Sequence, residues 1–219
     1  VSSATEAAAL ACAGRNLFGA PLEHDAVASW IDPCLPVTIE GRVEVSSPEV
    51  ATLQLANSET GVIQVLPQGL ALSDLTQAFG KVPVGFDSLG CAMGLISAHK
   101  LGGPKGIGAV VIKRGLDGAA QIKGGGQEMG RRSGTENVIG IAGFGAAAEA
   151  ARHDVDAGKW AAVEQLRNIL EAALAAQHHL FCHARLEGRD ASDADGSGRF
   201  CHFGGLGVRQ RQGQGQSRT

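Results

Sequence analysis

The sequence predicts an α/β fold with a mainly parallel β-sheet, and three observations support this prediction. Short apolar segments rich in β-branched residues alternate along the chain with segments of helical pattern. The chain has 219 residues, of which 44% are hydrophobic, and this is enough for a substantial core. Glycine occurs 32 times, about twice its usual share of ~7%, which is typical of an Ala/Gly-rich α/β protein.

Helices are predicted at three places. Residues 5–14 form a short helix with a Ser/Thr entry, and Gly14 ends it. Residues 138–152 form a helix made largely of small side chains, and residues 160–176 form an amphipathic helix. After about Ala176 the helical periodicity stops, and the tail from Gly204 alternates Gln with Gly and Arg, a composition that cannot build a core.

Strands are predicted where short apolar segments are bounded by Gly, Pro or polar residues, at 50–55, 82–84, 93–97 and 108–113. The strand at 93–97 leads directly into a loop that contains Lys100. Because ligands of parallel sheets bind at the carboxyl ends of strands, this loop is a suitable place for a functional residue.

Composition and charge argue against several function classes. A net charge of −3 gives no electrostatic reason for binding nucleic acid or an acidic membrane surface. No apolar run approaches the ~20 residues of a spanning helix. The first residues lack the features of a signal peptide, which makes the cytoplasm the default location, although Val1 is not a natural start and leaves a missing leader open. Five cysteines without a CxxC pair do not predict a disulfide framework.

The segment around Lys100 is the clearest chemical signal. Ser97 and His99 precede this lysine, and glycines and Pro104 follow it. A lysine amine forms an imine with an aldehyde, small neighbours let a flat cofactor approach the backbone, and Ser and His can hydrogen-bond a phosphate. The combination suits a lysine that binds pyridoxal phosphate (PLP) as a Schiff base. The alternative is a solvated lysine in a glycine-rich loop.

Other candidate residues lie on separate segments. Asp74, with Gln77 in D-L-T-Q, could pair with a protonated pyridine nitrogen, although a turn or cap is the commoner use of an aspartate. His24 could stack on a ring and act as acid or base, or be structural. Thr5 at the start of the first helix could bind an anion or be a cap only.

A glycine-rich turn at 124–126 leads into R-R-S-G-T-E-N, which could contact a phosphate or be a solvated basic loop. With this segment included, the chain resembles the cysteine desulfurases, PLP enzymes of the class V aminotransferase group. The matching strings occur in family order across residues 1–151: SSATEAAALA, LEHDAV, ANSETGVIQ, SDLTQAFGKVPV, SAHKLGGPKGIGAVVIKRG and GGGQEMGRRSGTENVIGIAGFGAAAEAA.

The resemblance implies a role for each matching position and a fold of type I among PLP-dependent transferases. Lys100 carries the Schiff base, and His24 stacks over the ring and moves protons. Among the cofactor-binding residues, Asp74 pairs with the pyridine nitrogen and Gln77 contacts the ring hydroxyl. Thr5, Ser97 and His99 hold the phosphate. Asn57 lies in the loop that contacts the cofactor and the substrate, and Thr135 reaches the phosphate of the neighbouring subunit in a homodimer. L-Cysteine is the implied substrate, and a sulfur acceptor or scaffold protein is a possible partner.

The chain departs from the family pattern at three places. The loop that usually holds two adjacent asparagines has Ser58 at the second position. Only nine residues separate Gln64 from Asp74, where the family commonly has a helix and most of a strand. The segment that normally opens the fold is absent. We therefore expect residues 1–151 to be a large PLP-binding domain truncated at its start, and residues 152–219 to be the remnant of a small C-terminal domain.

The family's nucleophilic cysteine, in an S-x-G-S-A-C-x-S-G-K string, is also missing, and the neighbours of Cys182 and Cys201 do not match it. Reading plausible codons for residues 203–217 one nucleotide later gives S-A-G-S-A-C-A-S-G-K-V-K-A-S-R. A frameshift near residues 177–182 explains both the missing cysteine string and the unusual composition of the tail. Residues from about 180 to 219 are therefore expected to be out of frame and disordered. The chain as written is expected to be inactive.

Three alternatives stay open. The chain could be another class V PLP aminotransferase or lyase, which needs no nucleophilic cysteine, or a non-catalytic product of a damaged gene. The third is a metal site, because zinc favours Cys and His, and Cys182 and Cys201 each precede a histidine with His178 and His179 nearby. The frameshift makes this last cluster accidental, so no metal is expected.

Overall fold

The computed structural model describes the backbone of residues 1–187 and the side chains of residues 1–175. Five helices and five strands lie in this part of the chain. The helices are α1 (Ala4–Cys12), α2 (Asp25–Ala28), α3 (Phe86–Leu89), α4 (Val138–Asp156) and α5 (Trp160–Glu187). The strands are β1 (Leu17–Phe18), β2 (Ile31–Asp32), β3 (Leu70–Asp74), β4 (Cys91–Ser97) and β5 (Gly108–Ile112). Short 3₁₀ turns span Pro48–Val50, Ala98–Leu101 and Gln127–Gly130.

The central sheet has the order β3-β4-β5. Strands β3 and β4 are parallel, with Asp74 opposite Leu95, whereas β5 returns antiparallel to β4, with Gly108 opposite Ser97. Strands β1 and β2 form a second parallel pair, and single-residue bridges at Ala51 and Thr52 link β1 to β3. The five strands therefore form a nearly continuous layer. Both β1–β2 and β3–β4 are parallel pairs, and β5 is the one strand of the five that pairs antiparallel to its neighbour.

Helix α1 covers one face of this layer. Ser3 caps its first turn by accepting a hydrogen bond from the Glu6 backbone amide, and its buried face consists of alanines, Leu10 and Cys12. Small side chains allow the helix to pack closely on Leu72, Met93 and Leu95 of the sheet. A separate cluster around Leu75 and Ile96 packs against the loop at 79–84 and against Phe144 of α4. The sheet is thus buried on both faces, as expected for a parallel core.

The predicted α/β class with parallel pairing is confirmed. Several element predictions need correction. Residues 82–84 are not a strand, because Pro83 lacks a backbone donor and the two valines pack as loop residues on the Leu75 cluster. The predicted strand at 50–55 is reduced to the two bridges, because Pro48 starts a 3₁₀ turn that extends to Val50.

The last helix is longer than predicted, since α5 continues past residue 176 to Glu187. The predicted out-of-frame, disordered tail begins at about residue 180. Its residues 180–187 belong to α5, and residues 188–219 lie outside the described residues. In the part of the chain that the structure describes, no helix has the length and apolar character needed to cross a bilayer.

Candidate functional site

The carboxyl ends of β3 and β4 open into a cavity of about 350 Å³. Because these strands are parallel and adjacent, the residues that end them meet at one edge of the sheet. The cavity is also bordered by the amino-terminal end of α1 and by the segments around His24 and Ala56. Seven of the predicted site residues line it: Thr5, His24, Asp74, Gln77, Ser97, His99 and Lys100.

Asp74 is the last residue of β3 and only 9% of it is exposed. Its Oδ1 atom accepts a hydrogen bond of 2.8 Å from the Thr76 backbone amide, which fixes the carboxylate at the start of the following turn. No salt bridge within the described part of the chain includes this carboxylate. A cationic ligand atom at the cavity would therefore have Asp74 as a ready partner.

The turn after β4 presents Ser97, His99 and Lys100 together. Ser97, which is 1% exposed, has its Oγ atom 2.8 Å from Nδ1 of His99. The 3₁₀ turn Ala98–Leu101 ends at Gly102, whose φ of +91° is the left-handed conformation that glycine adopts at little cost. The exposed Lys100 side chain makes no salt bridge in the described structure, so its amine is available to a ligand.

Gln77 is tied to a second lysine. Nζ of Lys81 lies 3.2 Å from the Gln77 carbonyl oxygen and 3.4 Å from its Oε1 atom. Burial lowers the pKa of Lys81, and the charge of Lys100 lowers it further. The two lysines are thus close enough for their charges to repel each other beside the cavity.

His24 is the N-cap of α2, and its Nδ1 atom accepts a hydrogen bond of 3.1 Å from the Ala26 backbone amide. An acceptor Nδ1 assigns the ring proton of the neutral imidazole to Nε2, by inference from this hydrogen bond. His24 therefore presents an N–H donor rather than a free base.

Two predicted residues lie elsewhere. The buried side chain of Asn57 does not line the cavity, because its Oδ1 accepts from the backbone amides of Glu59 and Thr60 and its Nδ2 donates to the Leu22 carbonyl. Thr135 lines a different cavity of about 360 Å³, together with Arg131 and Arg132. The structure therefore does not bring Thr135 to the cavity of its own chain.

Sequence reasoning missed three residues at or beside the cavity, namely Glu23, Gln54 and Lys81. Gln54 stands between Leu53 and Leu55, and a polar residue amid an apolar strand-like segment is a usable signal. For Glu23 no such signal exists, since its burial depends on the fold.

The model of the family described as Aminotransferase class-V matches residues 45–190. The chain belongs to the class V aminotransferase family. A cysteine desulfurase of Gluconacetobacter diazotrophicus is 38% identical over 190 residues, covering 74% of this chain and 47% of that protein. The cysteine desulfurase IscS of Dictyoglomus turgidum is 35% identical over 177 residues, covering 68% and 44%. The chain thus spans about half the length of these curated relatives.

Solved structures of similar proteins show that this class V chain shares their fold. A NifS-like protein from Rickettsia africae superposes with a TM-score of 0.74 at 29% identity, covering 80% of this chain and 56% of the other. DndA from Streptomyces lividans superposes with a TM-score of 0.68 at 29% identity, covering 80% and 60%. These similarities confirm the predicted fold of PLP-dependent enzymes, and PLP is the cofactor of the family.

The cavity fits this cofactor. A free lysine amine, a buried carboxylate and a set of hydroxyl and imidazole groups around a helix N-terminus match the aldehyde, the ring nitrogen and the phosphate of PLP. The backbone amides of Ala4 and Thr5 belong to the first turn of α1, where they have no partner within the helix.

Proposed function

We propose that this chain carries the cofactor-binding part of a PLP-dependent cysteine desulfurase, which takes sulfur from L-cysteine and leaves L-alanine. The observation that carries the proposal is the cavity in which Lys100, Asp74, His24 and the Ser97–His99 pair meet. The similarity to cysteine desulfurases over most of the chain supports the substrate class.

Each lining residue has a task in this proposal. Lys100 would hold the cofactor through its amine, Asp74 would face the ring nitrogen, and Gln77 would face the ring hydroxyl. Ser97, His99 and the first turn of α1 would bind the phosphate. When bound, the cofactor supplies an electron sink for the negative charge that develops on the substrate carbon.

Proton movement is the task of His24. Because its Nδ1 atom is occupied by the Ala26 amide, the ring would exchange protons with the substrate through Nε2. Asn57 supports the reaction indirectly in this proposal. Both the nitrogen and the oxygen of its side-chain amide form hydrogen bonds that hold the loop beside the cavity.

Sulfur transfer needs a cysteine thiolate. The thiolate attacks the sulfur of the substrate, an S–S bond forms, the C–S bond breaks, and the substrate carbon takes up a proton to give alanine. None of the cysteines with described side chains lines the cavity, and burial raises the pKa of Cys12 to about 11 and that of Cys91 above its ordinary value. The sequence neighbours of Cys182 and Cys201, whose side chains lie outside the described residues, do not match the family's nucleophile string. The proposal therefore places the nucleophile in the shifted reading frame of residues 203–217.

The first experiment tests cofactor binding. The full chain mixed with PLP should develop visible absorbance that Lys100→Ala abolishes. Lys105→Ala is the matched control, because Lys105 is exposed, follows the turn by four residues and does not line the cavity. This variant should leave the band intact. An unchanged band in the Lys100 variant would remove its assigned role.

The second experiment tests the reaction. The chain as written should produce no alanine from cysteine above a control with free PLP. Restoring the shifted frame in a chain that also carries the family's opening segment should recover turnover, and replacing the restored cysteine with serine should remove it while PLP stays bound. Robust turnover by the unrepaired chain would refute the frameshift.

A second candidate is another class V PLP aminotransferase or lyase. The observation in its favour is that no cysteine with a described side chain lines the cavity, since such an enzyme needs no sulfur nucleophile. Amino-group transfer from other amino acids to a 2-oxo acid by the unrepaired chain would select this candidate.

A homodimer is also part of the proposal. Thr135 lies apart from the Lys100 cavity, and the neighbouring Val138 and Ile139 are 70% and 87% exposed, which is unusual for large apolar side chains. A second subunit would cover them and receive the Thr135 hydroxyl at its phosphate.

A sulfur-acceptor protein would take the product sulfur. Cytoplasmic location fits the free thiols of Cys12, Cys34 and Cys91, because that compartment keeps thiols reduced.

A further inference from the structure

Glu23, the residue before His24, is a buried carboxylic acid that none of the tasks above uses. Only 6% of it is exposed. Its Oε1 atom accepts a hydrogen bond of 2.8 Å from the Gln54 backbone amide, whereas Oε2 is buried and has no hydrogen-bond partner. No salt bridge between described residues includes Glu23.

The ionisable groups that face Glu23 are anions or neutral groups. Asp74 faces it from the end of β3, Cys12 faces it from α1, and His24 follows it in the chain. The segment at 51–57 and strand β1 contain no ionisable side chain. Among the residues with described side chains, none forms a salt bridge that would compensate a negative charge on Glu23.

Burial and the nearby charge of Asp74 both favour the protonated form of Glu23. Burial, with a smaller contribution from the charge of Asp74, raises the pKa of Glu23 to about 8, although the hydrogen bond from the Gln54 amide acts to lower it. Burying the unpartnered Oε2 atom also costs less free energy when the carboxyl group is neutral than when it is charged. At neutral pH the group is thus mainly uncharged.

Three hydrogen bonds tie the Glu23 segment to one wall of the cavity. Besides the bond to Glu23, Nε2 of Gln54 donates to the Leu22 carbonyl at 2.7 Å and Nδ2 of Asn57 donates to the same oxygen at 3.0 Å. Gln54 lines the cavity, and so does His24, which comes directly after the tied residues. The position of the His24 ring therefore depends on this attachment.

We propose that Glu23 is a positioning residue, whose neutral carboxyl group fixes the His24 segment against Gln54 and leaves Asp74 to carry the negative charge that would face the ring nitrogen of the cofactor. The part that concerns the ring rests on the proposed function. The part that concerns His24 does not, because it follows from the hydrogen bonds of the chain alone.

The test compares three variants of the full chain. Glu23→Gln keeps an acceptor for the Gln54 amide and copies the neutral acid. Glu23→Ala removes the hydrogen bond from the Gln54 amide and leaves the two to the Leu22 carbonyl. Glu44→Gln, at an exposed position, is the matched control.

Without cofactor, infrared spectroscopy at pH 7 should detect a protonated carboxylic acid in the wild type and the control, with a titration midpoint near pH 8, and not in Glu23→Gln. Nitrogen NMR of the histidines should show one sharp His24 ring signal in the wild type and Glu23→Gln, and a shifted or broadened one in Glu23→Ala, where the segment is held less firmly. Absence of the acid band in the wild type, or an unchanged His24 signal in Glu23→Ala, would overturn the proposal.

With PLP, visible circular dichroism reports how uniformly the bound ring is oriented. Glu23→Gln should match the wild type at pH 7, and Glu23→Ala should lose at least half of the signal per bound cofactor. The wild-type spectrum should change near pH 8 in a step that Glu23→Gln lacks. If no variant binds PLP, the proposed function fails, while the NMR result still decides the role of Glu23 toward His24. Equal signals from all variants would reject the role of Glu23 toward the ring.

Discussion

At the scale of single residues, the charge balance of the cavity depends on two lysines. Lys81 is half-buried and hydrogen-bonded to Gln77, and the charge of Lys100 contributes to the lowering of its pKa. Two cations that repel each other are stabilised when an anion lies close to both. The cavity therefore favours an anionic ligand such as a phosphate ester even before any covalent bond to Lys100 forms.

Lys81→Met should consequently weaken PLP binding. The loss of one partly buried positive charge should raise the Kd about three- to tenfold, which corresponds to roughly 1 kcal/mol. The difference from the wild type should shrink at high salt because screening weakens the attraction. Equilibrium dialysis at low and high ionic strength measures this, with Lys105→Met as the control; equal or tighter binding by the Lys81 variant would contradict the expected charge effect.

At the scale of elements, the first turn of α1 is held against the sheet by contacts between backbones. The Gly108 amide donates to the Val1 carbonyl at 2.8 Å. A Cβ atom on Gly108 would lie 2.7 Å from the Ile96 carbonyl oxygen and 2.9 Å from the Ser3 carbonyl carbon. Only glycine permits this approach, which brings Thr5 and Ser97 to the same cavity.

Gly108→Ala should therefore separate α1 from the sheet. Because both neighbours are backbone, neither can give way cheaply, and we expect a loss of about 2–3 kcal/mol in the free energy of unfolding. The Kd for PLP should rise at least tenfold.

Gly106→Ala is the control. Its φ of +79° makes alanine strained, but nothing lies within 4 Å of the added Cβ atom, so the cost should be about 1 kcal/mol and PLP binding should persist. Urea denaturation and a PLP titration measure both effects. Similar PLP affinities for the two variants would argue against the role assigned to the close approach.

At the scale of the whole molecule, two glutamates make stability depend on pH in opposite directions. Burial acts to raise the pKa of Glu6, but hydrogen bonds from Arg132 and Ser2 outweigh it and lower the value to about 2. Its contribution is therefore complete above its ordinary pKa of 4.5 and lost as the pH falls toward 2. The raised pKa of Glu23 makes stability fall as the pH rises from 4.5 to about 8.

The joint contribution of these two groups should therefore be largest near pH 4.5. Each flank should have a slope of up to about 1 kcal/mol per pH unit. Glu6→Gln should flatten the acid flank and Glu23→Gln the alkaline flank, as urea denaturation between pH 3 and pH 9 would show. Parallel curves for the wild type and Glu23→Gln above pH 5 would contradict the buried position of Glu23.

The sequence predicts the parts of this fold that depend on local patterns. The apolar segment before Lys100 predicts β4 and the loop after it, and the capped alanine-rich segment predicts α1 within two residues. The valines at 82–84 predict a strand, but Pro83 and packing on the Leu75 cluster make this segment a loop. The loss of periodicity predicts that α5 ends at Ala176, yet the helix continues to Glu187.

The site divides in the same way. The family resemblance predicts nine site residues, and seven of them line one cavity in the structure. The roles assigned to these residues stay predictions. The burial of Glu23, the repulsion between Lys81 and Lys100 and the occupied Nδ1 atom of His24 depend on contacts between segments that are far apart in the chain. No pattern within one segment contains that information.

The close approach at Gly108 also sets an order of events in folding. The contacts of Gly108 with Val1 span 107 residues, and the pair between Arg132 and Glu6 spans 126. Closing so large a loop has an entropic cost that only a formed partner surface repays. We therefore expect the phosphate side of the cavity to assemble after β5 has paired with β4, and a nascent chain to acquire its cofactor-binding shape only once Gly108 has been synthesised.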